Sequence, residues 1–228
     1  MTDKRVANIR GRERGRGRGQ ERGRERGQER GRERGQERGR ARGQGAAGVV
    51  LGAATVATGL ISGAFYIFAC AIMPALARSG DRVYIEVMRN INDVIQNPAF
   101  FASFLGSLVL PALCAWQLRG TPPARWVIAA LVVYAVAFAL TSGVNVPLNN
   151  DLADAGDPAR IADPAAVRER FEDTWVAWNL VRAVLCTLAF ALLARALVLL
   201  GRVRGRGRGS GARQSAYLDP ATGSSASR

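Results

Sequence analysis

The chain has no histidine and only three cysteines in 228 residues. Without imidazole, His-containing metal centres and histidine-based acid–base catalysis are excluded, and no metal or organic cofactor is expected. Cys70, Cys114 and Cys186 fall one to each of three apolar runs. That scatter predicts small apolar packing residues, not a disulfide framework. The long apolar runs also lack Asp and Glu. With no carboxylate to relay protons, an ion-coupled transporter is disfavoured. Neither a Gly-rich phosphate loop nor a nucleophile beside a base occurs. Asp151, Asp154 and Asp157 are spaced by three, unlike the alternating ligands of a calcium loop, and read as a solvated acidic loop.

Residues 11–42 lack apolar side chains apart from Ala41 and repeat a Gly-Gln-Glu-Arg-Gly-Arg-Glu-Arg unit with a period of eight. A segment with nothing to bury cannot offset the entropy of ordering, so residues 1–45 are expected to be a disordered tail. The repeat has no aromatics and its glutamates dilute the charge, so nucleic acid is not an expected partner. Residues 1–45 carry a net charge of +9 and residues 201–228 a net +5, which together make up the whole +14 of the chain. Residues 201–228 are expected to be a second disordered basic tail. The repeat tail suits anionic lipid, at about 1 kcal/mol per net basic residue near the surface.

What remains, residues 46–200, is strongly apolar. Four runs, at about 46–73, 99–118, 126–146 and 177–200, are each long enough for a bilayer core, which needs about 20 helical residues. The expected fold is therefore all-α, an integral membrane four-helix bundle. Gly59 and Gly63 in the first run form a Gly-x-x-x-Gly pair that invites close helix approach. Pro74 and Pro147 are expected to end the first and third helices. Between the first two runs, residues 81–96 place apolar side chains at 83, 84, 87, 88, 91, 94 and 95, the pattern of an amphipathic helix. It is too charged to span and is expected at the interface or over the bundle mouth. Asp163-Pro164 resembles a helix N-cap followed by proline at the first helical position, so the fourth helix should begin there, well before its apolar part. The tails and the turn at 119–125 are basic, whereas residues 147–174 have a net charge of −4. The positive-inside rule then places both termini in the cytoplasm.

The anomaly is Arg182, an arginine inside the fourth apolar run, where it costs a few kcal/mol unless it finds a partner or snorkels. Trp175, Trp178, Asn179, Arg182 and Cys186 follow steps of three and four and share one helix face. In the alternating topology Tyr66, Met73, Asn97, Phe100, Thr141 and Asn145 reach the same end of the bundle. The expectation is an inward-facing Arg182 in a polar, aromatic-lined pocket, with Asn145 and Tyr66 as partners. The bland alternative makes the tryptophans ordinary interface-belt residues.

Five motifs fall in order along this region: Gly63-x-Phe65-Tyr66-x-Phe68, Ile72-Met73-Pro74-Ala75-Leu76, Met88-x-x-Ile91-Asn92-x-x-Ile95-x-Asn97-Pro98, Asn145-Val146-Pro147-Leu148-Asn149 and Trp178-Asn179-x-x-Arg182. With them, residues 46–200 resemble the anthrone-oxygenase-like family of small four-helix membrane proteins. The resemblance implies a cofactor-independent oxygenase acting on an aromatic, polyketide-like substrate, since some members oxidise an anthrone to an anthraquinone with molecular oxygen. It implies catalytic roles for Arg182, Asn179, Asn145 and Tyr66, with Trp178, Trp175, Asn97, Asn149 and Met73 around a hydrophobic small molecule. The alternative is a non-enzymatic membrane protein that binds a small molecule or serves as an accessory component. The oligomeric state is not encoded in any of these features.

Overall fold

The computed structural model describes the backbone of residues 45–218, with isolated positions between 31 and 43, and side chains through residue 205. The expected tail at 1–45 therefore falls almost wholly outside the described residues, as do residues 219–228. The described elements are all helical: α1 (Gly45–Leu76), α2 (Asp81–Ile95), α3 (Pro98–Gln117), α4 (Ala124–Asp154) and α5 (Pro164–Leu218). Four of them, all but α2, are long and apolar enough to cross a bilayer. A girdle of exposed apolar side chains, among them Val49, Val56, Leu60, Val109, Val132 and Val184, faces outward from the bundle. In water such a surface would drive aggregation, and in a bilayer it is the solvent-matched face. The protein is an integral, multi-pass membrane protein.

Pro74 and Pro147 do not end their helices, contrary to expectation. α1 runs two residues beyond Pro74 and α4 continues seven beyond Pro147. The reason is a π-turn just before each proline, Phe68–Ile72 in α1 and Thr141–Asn145 in α4. Proline lacks an N–H and its ring clashes with the carbonyl four residues back. A turn widened to i→i+5 bonding moves that carbonyl aside, and the chain stays helical. Both π-turns lie toward the same end of the bundle. α5 likewise passes its expected end at Leu200 and stays helical to Leu218.

The expected starts hold. Asn97 caps α3 by accepting from the Phe100 N–H at 3.0 Å, and Asp163 caps α5 by accepting from the Ala166 N–H at 3.0 Å. α2 folds over one end of the bundle, hereafter the lid end, on Tyr84, Ile85 and Met88. Val83 and Val94, expected on its apolar face, point outward instead, because that face is centred on 84, 85 and 88. Arginines fasten the lid. Arg168 of α5 donates to Asp81 (3.0 Å), Glu172 (2.6 Å) and the carbonyls of Ala77 and Ser79, and lies 4.5 Å over the Tyr84 ring. Arg82 donates to the carbonyls of Pro158 and Ile161, and Arg89 to that of Gly156.

At the opposite end the packing is regular and small: Ala130, Ala189 and Ala196 are buried among Leu51, Val127 and Leu193. Trp116 and Trp126 sit there as expected, with Arg119 over the first and both Arg125 and Arg195 over the second. The Gly59–Gly63 pair does less than expected. A Cβ at Gly59 would meet the Phe190 ring at 3.1 Å, but Gly63 faces open space. Cys114 and Cys186 are buried as predicted, whereas Cys70 is exposed on the apolar surface.

Candidate functional site

Arg182 faces inward and is only 4% exposed. Its guanidinium lies 4.4 Å from the Phe65 ring centroid and 5.4 Å from that of Trp175. Nη2 donates to Asn179 Oδ1 at 3.1 Å and Nη1 to Thr141 Oγ1 at 3.5 Å, while Nε has no partner. Two of the five N–H donors of the fork are thus engaged. No carboxylate pairs with it, since the ion pairs among the described residues are confined to Arg160 and Arg168. The charge is held by aromatic faces and neutral oxygens alone.

The surrounding amides are positioned by the irregular turns. Asn179 Nδ2 donates to the Phe65 carbonyl at 3.2 Å, just ahead of the π-turn in α1. Thr141 and Asn145 bracket the π-turn in α4, which turns both inward. Trp175 Nε1 donates to Asn149 Oδ1 at 2.8 Å, fixing the indole across the cavity. Phe68 packs on Trp175 at 5.8 Å between centroids, and a second wall is the stacked pair Phe100–Phe104, 5.6 Å apart and backed from outside the lining by Phe138 at 4.9 Å from Phe104.

These walls enclose a cavity of about 310 Å³ bounded by α1, α3, α4, α5 and the C-terminal half of α2. Trp175, Asn179, Arg182 and Asn149, all expected at the site, line it together with Thr141 and Phe100. The other expected residues lie elsewhere. Tyr66 is 60% exposed on the outer surface, because it is one position round the helix from Phe65. Met73 is buried under the lid, outside the lining, in an apolar cluster that includes Tyr84 and Met88 and reaches the cavity wall at Phe68 and Trp175. Asn97 is spent capping α3. Trp178 is half-buried and outside the lining. Asn145 is fully buried, but it donates to the Trp175 carbonyl at 3.4 Å and makes no hydrogen bond with Arg182. It supports the wall without lining the cavity.

Sequence reasoning missed Phe65, Phe68 and Phe104, and missed Asn92 and Gln96 of the lid, all of which line the cavity. The signal was present for three of them: Phe65 and Phe68 are one turn apart in a single motif, and Asn92 interrupts the apolar face of α2. Arg182 is the one ionisable residue in the lining. Among the described residues no group of three or more His, Cys, Asp or Glu side chains is placed to hold a metal ion. The arrangement can clamp a flat aromatic molecule between Trp175 and the phenylalanines and hold an electron-rich oxygen against Arg182.

Residues 96–192 match the family model described as Anthrone oxygenase, a span that takes in α3, α4 and α5 as far as residue 192. No curated protein and no solved structure matches the chain. The matched span carries Thr141, Asn149, Trp175, Asn179 and Arg182, so this part of the chain is similar to the anthrone-oxygenase-like family, and the four apolar helices fit a multi-pass membrane protein of that kind.

Proposed function

We propose that the cavity binds a planar, oxygenated polycyclic aromatic of the anthrone type and oxidises it with molecular oxygen. The observation that carries this reading is Arg182: a buried guanidinium without a carboxylate, framed by aromatic rings and opening on a cavity of about 310 Å³. A buried charge of this kind is expensive and is retained where it meets a ligand. The volume lies at the low end of small-molecule sites, about 300–1,000 Å³, which suits a few fused rings.

The chemistry follows from the charge. With the substrate carbonyl against Arg182, loss of a proton from the ring methylene generates an enolate whose oxygen carries the negative charge. A fixed cation in a water-poor site stabilises that oxyanion. The lining offers no carboxylate or imidazole as base, so the proton leaves to water at the cavity mouth. The carbanionic carbon then adds dioxygen to give a peroxide anion, which takes back a proton from water; the hydroperoxide loses the remaining methylene hydrogen and its outer oxygen as water, leaving a carbonyl. Four electrons leave the methylene carbon and four reduce dioxygen, one oxygen ending in the quinone and the other in water. Asn179 and Thr141 orient the guanidinium, and Trp175, held by Asn149, supports the ring plane.

The basic residues Arg119, Arg125, Arg202 and Arg204 cluster at the end opposite the lid, while the connection from 147 to 174 is acidic. This favours cytoplasmic termini and an outward-facing lid. The test of the activity is purified protein in nanodiscs, incubated aerobically with an anthrone while oxygen uptake and quinone absorbance are followed. One dioxygen consumed per quinone, well above autoxidation, is expected. A rate equal to autoxidation would overturn the oxygenase reading and leave a binding protein.

A further inference from the structure

We propose that the substrate reaches the cavity sideways from the bilayer, through a mouth between α3 and α4, and not from water by opening the lid. The inference rests on the cavity being the aromatic binding site. Most of the lining is buried or half-buried, but four lining residues are open to the outside: Phe101 of α3, Val146 and Asn150 of α4, and Gln96 at the end of α2. Phe101 is 43% exposed and Val146 44% exposed. The mouth therefore has an apolar lip, Phe101 and Val146, and a polar lip, Gln96 and Asn150.

Its depth follows from helix geometry. Phe101 lies three residues into α3, about 4.5 Å along the axis at 1.5 Å per residue. Val146 lies 22 residues into α4, about 33 Å from its start, roughly one hydrocarbon thickness. Both lips thus lie at the boundary between acyl chains and headgroups, where rings bearing polar groups accumulate. A phenolic polycycle partitioned at that depth meets the mouth directly.

The alternative route is closed by the way the lid is fastened. From its start as far as Arg89, α2 and the turn before it are tied to the rest by Arg82, Arg89 and Arg168, which bind the carbonyls of Pro158, Ile161, Gly156, Ala77 and Ser79. At the other end of α2 the side-chain bonds are purely local: Gln96 to the Asn92 carbonyl and Asn97 to that of Val94. Raising the lid would break several charge-assisted bonds at once. Letting a ring past Val146 and Phe101 breaks none.

The test is the kinetics of binding an unreactive anthraquinone, supplied in lipid vesicles to protein in nanodiscs and followed by quenching of tryptophan fluorescence. Val146→Phe should slow association and dissociation alike, by about tenfold, with Kd nearly unchanged, as for a gate. Phe101→Ala should speed both and guards against misfolding of the first variant. Arg168→Ala, which loosens the lid, should leave the rates alone. Faster binding in Arg168→Ala with normal rates in both mouth variants would overturn the lateral route in favour of the lid. Absence of quenching in the unaltered protein would instead refute the aromatic site itself.

Discussion

The two ends of this bundle are built from the same four helices on different rules. Away from the lid, α4 and α5 bury Val127, Ala130, Ala189, Leu193 and Ala196 at steps of three and four, in unbroken α-helix. Small side chains at regular spacing let helices approach closely, and dispersion does the rest. At the lid end α1 and α4 each contain a π-turn, and the buried side chains include Thr141, Asn145, Asn179 and Arg182. A wide turn shifts the helical register by about one residue, rotating polar side chains inward that a straight helix would send elsewhere. Regular packing fills space, whereas interrupted packing leaves a cavity and supplies donors to furnish it. The regular end is a scaffold and the irregular end is where function is to be sought.

The sharpest way to break that contrast is Arg182→Leu. If the lid end is a site, the variant should lose oxygenase turnover by about 10²–10³-fold, the usual cost of removing one fixed oxyanion stabiliser. It should nonetheless melt at a higher temperature in detergent, because an unpaired buried charge is replaced by an apolar side chain. Arg182→Lys keeps the charge but loses the planar fork between Phe65 and Trp175, and should recover only part of the rate. A variant that is less stable and fully active would make Arg182 a structural lock, and the two ends would differ in shape alone.

The same contrast explains what could be read from the sequence. The spans, the lid helix and the start of α5 at Pro164 were legible because hydropathy, period and capping residues state them locally. The inward aim of Arg182 and its grouping with Asn179, Thr141 and Trp175 were legible from helical spacing. What failed did so at the π-turns. Spacing by 3.6 gives no warning of an inserted residue, so Pro74 and Pro147 looked like helix ends. Tyr66, the expected partner of Arg182, points outward and its neighbour Phe65 carries the contact, since one position moves a side chain by 100° round the helix. The lid residues Asn92 and Gln96 were missed because α2 was read as amphipathic packing, with no means of knowing which half roofs a cavity.

A smaller effect tests the lid itself. The Tyr84 ring is fully buried beneath Arg168, and its hydroxyl has no partner. Burial pushes its pKa above the ordinary value, reinforced by Glu172 and opposed by Arg168. A phenol harder to ionise in the folded state gives stability that is intact below the unfolded value of about 10 and is lost as pH rises beyond it. Tyr84→Phe should therefore be stabilising by up to about 1 kcal/mol at neutral pH, since an unmet hydroxyl is removed. Its advantage should grow by about 1.4 kcal/mol per pH unit above 10, measured by chemical unfolding at several pH values. An advantage that stays flat as pH rises would mean the hydroxyl is solvated and the lid loosely seated.

The smallest effect belongs to the helix pairing between these regions. Ser62 of α1 and Thr187 of α5 lie 2.9 Å apart, oxygen to oxygen, and Thr187 already donates its proton to the Ala183 carbonyl at 2.7 Å. Ser62 must then be the donor in the pair. Removing it leaves Thr187 with its own bond intact and only a lone pair unmet, so Ser62→Ala should cost about 0.6 kcal/mol or less, the common value for interhelical bonds in membranes. Thr187→Val strands the Ser62 hydroxyl unless it turns to its own helix, where a carbonyl one turn back offers an alternative acceptor. Its cost should accordingly also stay below about 1 kcal/mol. Unfolding in mixed micelles checks both, and a loss of several kcal/mol in either would show that α1 and α5 are held by this polar pair and not by the fit of small side chains.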